Sequence, residues 1–175
     1  MISMFIDTSI EDVSIALIKD GKLISKINNN IPGEHSIYVT KYVDDILKEN
    51  NLSPDAVDEI IVVNGPGSFT GIRIGVTIAK MFAYLRNIRI VTITSLQARV
   101  IGESAKFYLS TIDAKHNNYY VGLYDENYKV IVEKFSNISE IEEIIKEYFP
   151  LIVDTTKEYN IEAIVEYTKK FPSLN

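Results

Sequence analysis

Gly65-Pro66-Gly67-Ser68-Phe69-Thr70-Gly71-Ile72-Arg73-Ile74-Gly75 lies between an unbroken β-branched run, Ile60-Ile61-Val62-Val63, and a long apolar segment that ends near Arg86. Such a run marks a strand covered on both faces, so the region reads as strand, glycine loop, helix. That order sets backbone N–H groups and a helix N-terminus at the end of a sheet, a place where anions are held. A P-loop would need Gly-x4-Gly-Lys-Ser/Thr, but Gly71 is followed by Ile72 and Arg73. A dinucleotide fingerprint would need its third glycine one place earlier and an acid well before Glu103. Two readings remain. The glycines permit a tight turn with close helix–sheet packing, or Gly65, Gly67, Ser68 and Gly71 touch an anion or nucleotide together with Asp7.

Working outward, the chain alternates strands and helices. Met4-Phe5-Ile6, Val13 to Ile18 and Leu23 to Ile27 are short apolar runs, and Asp20-Gly21 between the last two is a strong hairpin signal. Pro32-Gly33 breaks this meander, a helix follows from about 36 to 50, and then come the 60–63 strand, the glycine loop and its helix. A strand at 88–93 and a short helix from Ser95 to Gly102 follow. The pattern then restarts with strands at 107–113, 119–124 and 129–135, a helix at 139–148, a strand at 151–153 and a helix near 161–170. The order β-β-β-α-β-α thus occurs twice, as architecture and not as repeated sequence. An α/β protein of two lobes, each with a mixed sheet, is expected, with the division at 1–105 and 106–175.

The chain of 175 residues has a net charge of −6 and no cysteine, which excludes disulfides, thiolate metal sites and cysteine nucleophiles. His35 and His116 are its only histidines, too few for a multi-histidine metal cage. No stretch is long and apolar enough to span a membrane. The opening residues lack the basic region and cleavage site of a signal peptide, so a soluble, cytoplasmic protein is expected. Between Gly65 and Gly102 there is no Asp or Glu, while Arg73, Lys80, Arg86, Arg89 and Arg99 all fall there. That strip suits an acidic partner, a nucleotide or a tRNA backbone, or is simply the solvated ends of a helix and a strand.

Two helices carry more apolar surface than one sheet face requires. The first shows Val39, Tyr42, Val43, Ile46 and Leu47. The second shows Ile74, Ile78, Met81, Phe82 and Leu85 and leaves no wide polar face. Another protein chain is the expected cover, meeting Val39, Tyr42, Val43 and Ile46 of the first helix and the five named residues of the second, with the second lobe as the alternative. Catalytic groups are scarce. Asp7 ends the first strand, followed by Thr8 and Ser9, where it suits a metal ion, a phosphate or an ordinary turn. Nothing assembles an acid–base pair or a nucleophile with its base, and no cofactor is expected.

Ile6-Asp7-Thr8-Ser9, Glu34-His35-Ser36, the Gly65–Gly75 stretch, Thr94-Ser95-Leu96, and Ile112-Asp113-Ala114-Lys115 with Tyr119-Tyr120 resemble the TsaB (YeaZ) family. The resemblance covers the first 125 residues or so, and the second lobe is shorter than the family's. It implies an actin-like, Hsp70-like (ASKHA) fold of two related lobes, the second abridged. It also implies a non-catalytic scaffold role in making threonylcarbamoyladenosine in tRNA, at the adenosine 3′ of the anticodon. The implied partners are the paralogue TsaD, which transfers the threonylcarbamoyl group, and the ATPase TsaE, with a second copy of the chain as an alternative occupant and tRNA met only through the complex. Where the paralogue carries a His-Leu-Glu-Gly-His type segment that grips a metal, this chain has Ser95-Leu96-Gln97-Ala98-Arg99, so both ligands are lost. The rival readings are an ASKHA ATPase or kinase built on Asp7 and Gly65–Gly71, and a tRNA contact by Arg73, Arg86, Arg89 and Arg99.

Overall fold

A computed structural model of the chain describes residues 1–30, 35–153 and 158–173, without the side chains of 35 and 36. The expected break at Pro32-Gly33, and Glu34 of the Glu34-His35-Ser36 motif, lie outside the described residues. Strand β1 (Ile2–Asp7) is followed by β2 (Asp12–Lys19) and β3 (Lys22–Asn30). Asp20 and Gly21 both hold positive φ between β2 and β3 (51° and 82°), as a two-residue hairpin turn requires. Helix α1 (His35–Glu49), a 3-10 turn (Pro54–Ala56), β4 (Glu59–Val63), α2 (Phe69–Arg86) and β5 (Arg89–Ile93) complete the first series. The second consists of α3 (Ser95–Val100), β6 (Phe107–Asp113), β7 (Asn118–Asp125), β8 (Val130–Asn137), α4 (Ile138–Tyr148), β9 (Leu151–Val153) and α5 (Ile161–Thr168).

The two sheets follow one plan. The first runs β3-β2-β1-β4-β5, with β1–β2 and β2–β3 antiparallel and β4 parallel to β1 and to β5. The second runs β8-β7-β6-β9, with β9 parallel to β6 and, among the described residues, without a fifth strand. The doubled strand–helix order read from the sequence is therefore the observed one, and the smaller second sheet accords with the abridged lobe that the resemblance implies.

The division between units differs from 105/106. Met1–Ile93 and Ile161–Asn175 form one compact unit, and Thr94–Asn160 form the other. Helix α3 goes with the second unit because Leu96 and Val100 pack with Tyr108, Tyr124 and Val153. Helix α5 goes with the first. Glu162 accepts the backbone N–H of Leu23 on β3, at 2.8 Å. Arg89 on β5 donates to the carbonyls of Thr168 and Phe171, at 2.8 and 2.6 Å, just where the end of α5 leaves carbonyls unsatisfied. The same guanidinium pairs with Glu59, a buried carboxylate that also accepts from Ser3 Oγ.

The first unit's core joins one sheet face to α1 and α2. Met4, Ile6, Ile15, Leu17, Ile60 and Val62 meet Val39, Val43, Ile46 and Leu47 from α1 and Ala79 and Ala83 from α2. In the second unit α4 covers one face of its sheet, with Ile144 packed on Leu109, Val121 and Leu123. Its start is fixed by a capping box in which Asn137 and Glu140 satisfy each other's backbone N–H groups. Hydrogen bonds from the Asn137 backbone and from Lys134 hold the Glu140 carboxyl below its ordinary pKa.

Candidate functional site

The buried side of α2 is a row of the smallest side chains, Gly71, Gly75, Ala79 and Ala83, one turn apart. The reason lies in Thr8, the residue that follows β1. A Cβ on Gly71 would stand 2.1 Å from the carbonyl oxygen of Thr8, and one on Gly75 would stand 2.2 Å from Thr8 Oγ1. Thr8 Oγ1 donates to the Gly71 carbonyl at 2.7 Å, so the helix rests directly on the end of β1. Gly71→Ala is expected to lower stability by about 2–3 kcal/mol, since backbone cannot yield as a side chain can. The clash of Gly75→Ala is with a hydroxyl. Thermal melting of Gly75→Ala alone and combined with Thr8→Ala therefore shows partial compensation, whereas Gly71→Ala gains none from Thr8→Ala.

The glycine loop is closed onto its own chain. The Ser68 N–H donates to the Ser9 carbonyl at 2.7 Å, and the Gly71 N–H to Ser68 Oγ at 3.2 Å. Gly65 and Gly67 both hold positive φ (100° and 153°). Asp7 is buried, and its Oδ1 accepts the Ser9 N–H at 2.8 Å, a turn-forming contact. Close helix–sheet packing thus accounts for Ser68 and Gly71, and their N–H groups point to protein acceptors. Among the described residues no three His, Asp or Glu side chains gather around a common point.

Because small residues face the sheet, the large ones of α2 face away from it. Phe69, Met81, Tyr84 and Leu85 are exposed at 73%, 58%, 84% and 70%. Ile74, Ile78 and Phe82 are half-buried along the flank of the helix and pack against the core. Thr40, Phe69, Thr70, Arg73, Ile74, Thr77 and Ile78 line an open groove of about 430 Å³ between α1 and α2.

Of the nine residues expected to meet a partner, Met81 and Leu85 are exposed, and Ile74, Ile78, Phe82 and Tyr42 are half-buried. Tyr42 stacks on Tyr38 with ring centres 5.7 Å apart. Val39, Val43 and Ile46 are corrected: they are buried against β1, β2 and β4 and present nothing to a partner. Their i, i+4, i+7 spacing is the ordinary core stripe of a helix on a sheet. Phe69, Tyr84 and Ile37, the last 67% exposed, belong to the outer surface and were absent from the expected set. The glycine–alanine row at every fourth residue is the signal that places Phe69 and Tyr84 on the outside of α2.

The basic strip also resolves. Arg86 pairs with Asp55 and Arg89 with Glu59. Arg99 is buried in the second unit, with its guanidinium 5.1 Å from the centre of the Tyr159 ring. A tRNA contact by Arg73, Arg86, Arg89 and Arg99 together therefore loses Arg89 and Arg99. Arg73 and Lys80 remain exposed on α2, with Arg73 over the Phe69 ring at 5.1 Å.

The sequence model of TsaD, described as tRNA N6-adenosine threonylcarbamoyltransferase, matches residues 29–166. The chain is 34% identical over 126 residues to the tRNA threonylcarbamoyladenosine biosynthesis protein TsaB of Bacillus subtilis, covering 71% of this chain and 55% of that protein. The chain belongs to the TsaB (YeaZ) family. The TsaB protein of Escherichia coli is 33% identical over 128 residues, which is 70% of this chain and 55% of that one. This family member thus spans about half the length of those curated relatives. YeaZ from Pseudomonas aeruginosa superposes with a TM-score of 0.75 at 22% identity, over 95% of this chain and 90% of that structure. The two sheets and their helices are an actin-like, ASKHA architecture. No helix among the described residues is long and apolar enough to cross a membrane.

Proposed function

We propose that this TsaB-family chain is a non-catalytic subunit in the synthesis of threonylcarbamoyladenosine in tRNA, and that it docks on a TsaD-type transferase through the outer face of α2. The observation that carries the reading is that Phe69, Met81, Tyr84 and Leu85, four large apolar side chains of one helix, are left in water. Exposed single hydrophobics are common, but several on one helix beside a groove mark an interaction surface. Helix α1 supplies Thr40 to the groove beside it, so two neighbouring helices meet two of the partner in bundle packing.

The role is assigned as non-catalytic because Ser95 and Arg99 stand where the paralogue's metal ligands are expected, and because the Ser68 and Gly71 amides are spent on the chain itself. The transferase then performs the chemistry on tRNA, with a TsaE-type ATPase as third component, and this chain holds the transferase in its active arrangement. The test is reconstitution with the cognate TsaD and TsaE proteins, unmodified tRNA, threonine, bicarbonate, ATP and the enzyme that makes the threonylcarbamoyl adenylate. Nucleoside mass spectrometry is expected to show modified adenosine only when this chain is present, together with a complex of the chain and TsaD in size exclusion. Full modification without the chain, or no complex with TsaD, overturns the proposal.

A further inference from the structure

The two sheets share a plan, but their faces are not covered alike. On the first, α1 and α2 lie side by side, and α2 packs on β4, the strand that precedes it. The second has α4 where the first has α1. Yet α5, which follows β9 as α2 follows β4, joins the first unit instead. Helix α4 packs mainly on β7 and β8, so among the described residues the β9 side of that face has no second helix.

The side chains there are apolar and in water. Glu140 pairs with Lys134 on β8 at 3.3 Å, which turns that flank of α4 toward the β8 edge. Ile138 and Ile145, seven residues apart, lie on the opposite flank, and Phe149 follows them at the C-cap. Ile152 stands beside Leu109, a member of the α4 cluster, so it lies on the sheet face that α4 covers. Ile138 is half exposed, Ile152 is 57% exposed and Phe149 85%. Phe149 also holds a φ of 49°, a C-cap conformation that favours glycine or asparagine. Neither its backbone nor its burial in the free chain accounts for an aromatic ring at that position, whereas a contact made with another molecule would. The charge around it has one sign. Helix α4 carries Glu140, Glu142, Glu143 and Glu147 against Lys146. Among the described residues Glu142, Glu143 and Glu147 have no cation within ion-pair reach. A second copy on this face would set one acidic α4 against another, while a basic helix meets complementary charge.

We infer that the α4–β9 face of the second unit is a docking site for an amphipathic helix of another protein, one whose apolar stripe is bordered by lysine or arginine. That helix lies on α4 and β9 as α2 lies on α1 and β4, covering Ile138, Phe149 and Ile152. The site is built from other elements than the α2 face and does not depend on the docking role proposed above. The full chain is titrated with a helical peptide of about five turns whose leucine stripe is bordered by lysines, and binding is read by calorimetry and backbone amide shifts. The wild type is expected to bind it, with shifts gathered at residues 138–152. The counterpart peptide with glutamates in place of the lysines should bind at least about tenfold more weakly. Phe149→Asn/Ile152→Thr is expected to weaken binding of the lysine peptide at least about tenfold, since both side chains enter the contact. Asparagine tolerates the left-handed conformation and threonine suits a strand, so circular dichroism and melting of this variant should match the wild type. Met81→Glu, in the first unit, should leave peptide binding unchanged.

Failure of the lysine peptide to bind, equal binding of the two peptides, or undiminished binding by Phe149→Asn/Ile152→Thr overturns the inference and leaves the α2 docking role standing. Self-association of the wild type that the same double substitution abolishes in sedimentation would give the face to a second copy and overturn it equally.

Discussion

Met81→Glu is expected to weaken the complex with the TsaD-type partner at least about a hundredfold, equivalent to about 2.7 kcal/mol, while the isolated variant melts with the wild type. The two halves of that result come from one feature of α2. Met81 is 58% exposed, so a carboxylate there remains hydrated in the free chain. In a complex it would be buried beside Tyr84, Leu85 and an apolar partner surface. The complex loses the burial of a large apolar side chain, about 1.5–3 kcal/mol, and must also desolvate a charge. Tyr84→Ala is the milder probe and should follow the same direction. Val43→Glu is the contrasting control: Val43 lies in the core, so the variant is expected to unfold and to say nothing about docking. If Met81→Glu eluted with TsaD as the wild type does, the outer face of α2 would be excluded as the interface.

That contrast also marks the limit of what the amino-acid pattern makes legible. Element types were readable almost throughout, because local signals agree with the final packing: the β-branched run of β4, Asp20-Gly21 between β2 and β3, and the 3.6-residue period of α1. The antiparallel meander that opens the first sheet and the mixed character of both sheets followed from element order, whereas the order of strands within each sheet is seen only in the structure. What was misread is which side of each helix faces the sheet. On α1 the stripe Val39, Val43, Ile46 faces inward by the usual rule. Helix α2 inverts that rule, hiding Gly71, Gly75, Ala79 and Ala83 and exposing Phe69, Met81, Tyr84 and Leu85. Hydrophobicity alone points the wrong way there. Only the close approach of Thr8, which follows β1 more than sixty residues earlier, explains why the smallest residues are inside. The glycine loop is a similar case. Its sequence suits an anion cradle and a tight turn equally, and the choice between them depends on the Ser9 carbonyl and the Thr8 hydroxyl, which no local spacing reveals.

The return of α5 to the first unit was likewise invisible to local pattern, and it leads to the largest stability effect expected of this chain. Arg89→Met should destabilise the first unit by about 3–5 kcal/mol, the usual consequence of stranding one member of a buried pair. Glu59 is 3% exposed and keeps only the Ser3 hydroxyl as a named side-chain donor once the guanidinium is gone. The Phe171 carbonyl loses its Arg89 donor in the same step and the Thr168 carbonyl keeps only the Phe171 N–H, which loosens the end of α5 as well. Methionine preserves much of the volume, so the loss is electrostatic and not a cavity effect. Two further variants separate these contributions. Arg89→Lys keeps the charge but cannot serve the carboxylate and both carbonyls with one fork, and it should recover only part of the stability. Glu59→Gln in the Arg89→Met background removes the stranded charge, so the double variant should be more stable than Arg89→Met alone. Urea unfolding followed by circular dichroism reads all four proteins. Hydrogen exchange at residues 161–168 adds a local measure, with faster exchange expected wherever Arg89 is replaced. Equal stability of Arg89→Met and the wild type would mean that α5 is held by Ile161, Ile164 and Val165 alone, and that the Glu59–Arg89 pair contributes nothing to joining the chain's last helix to its first sheet.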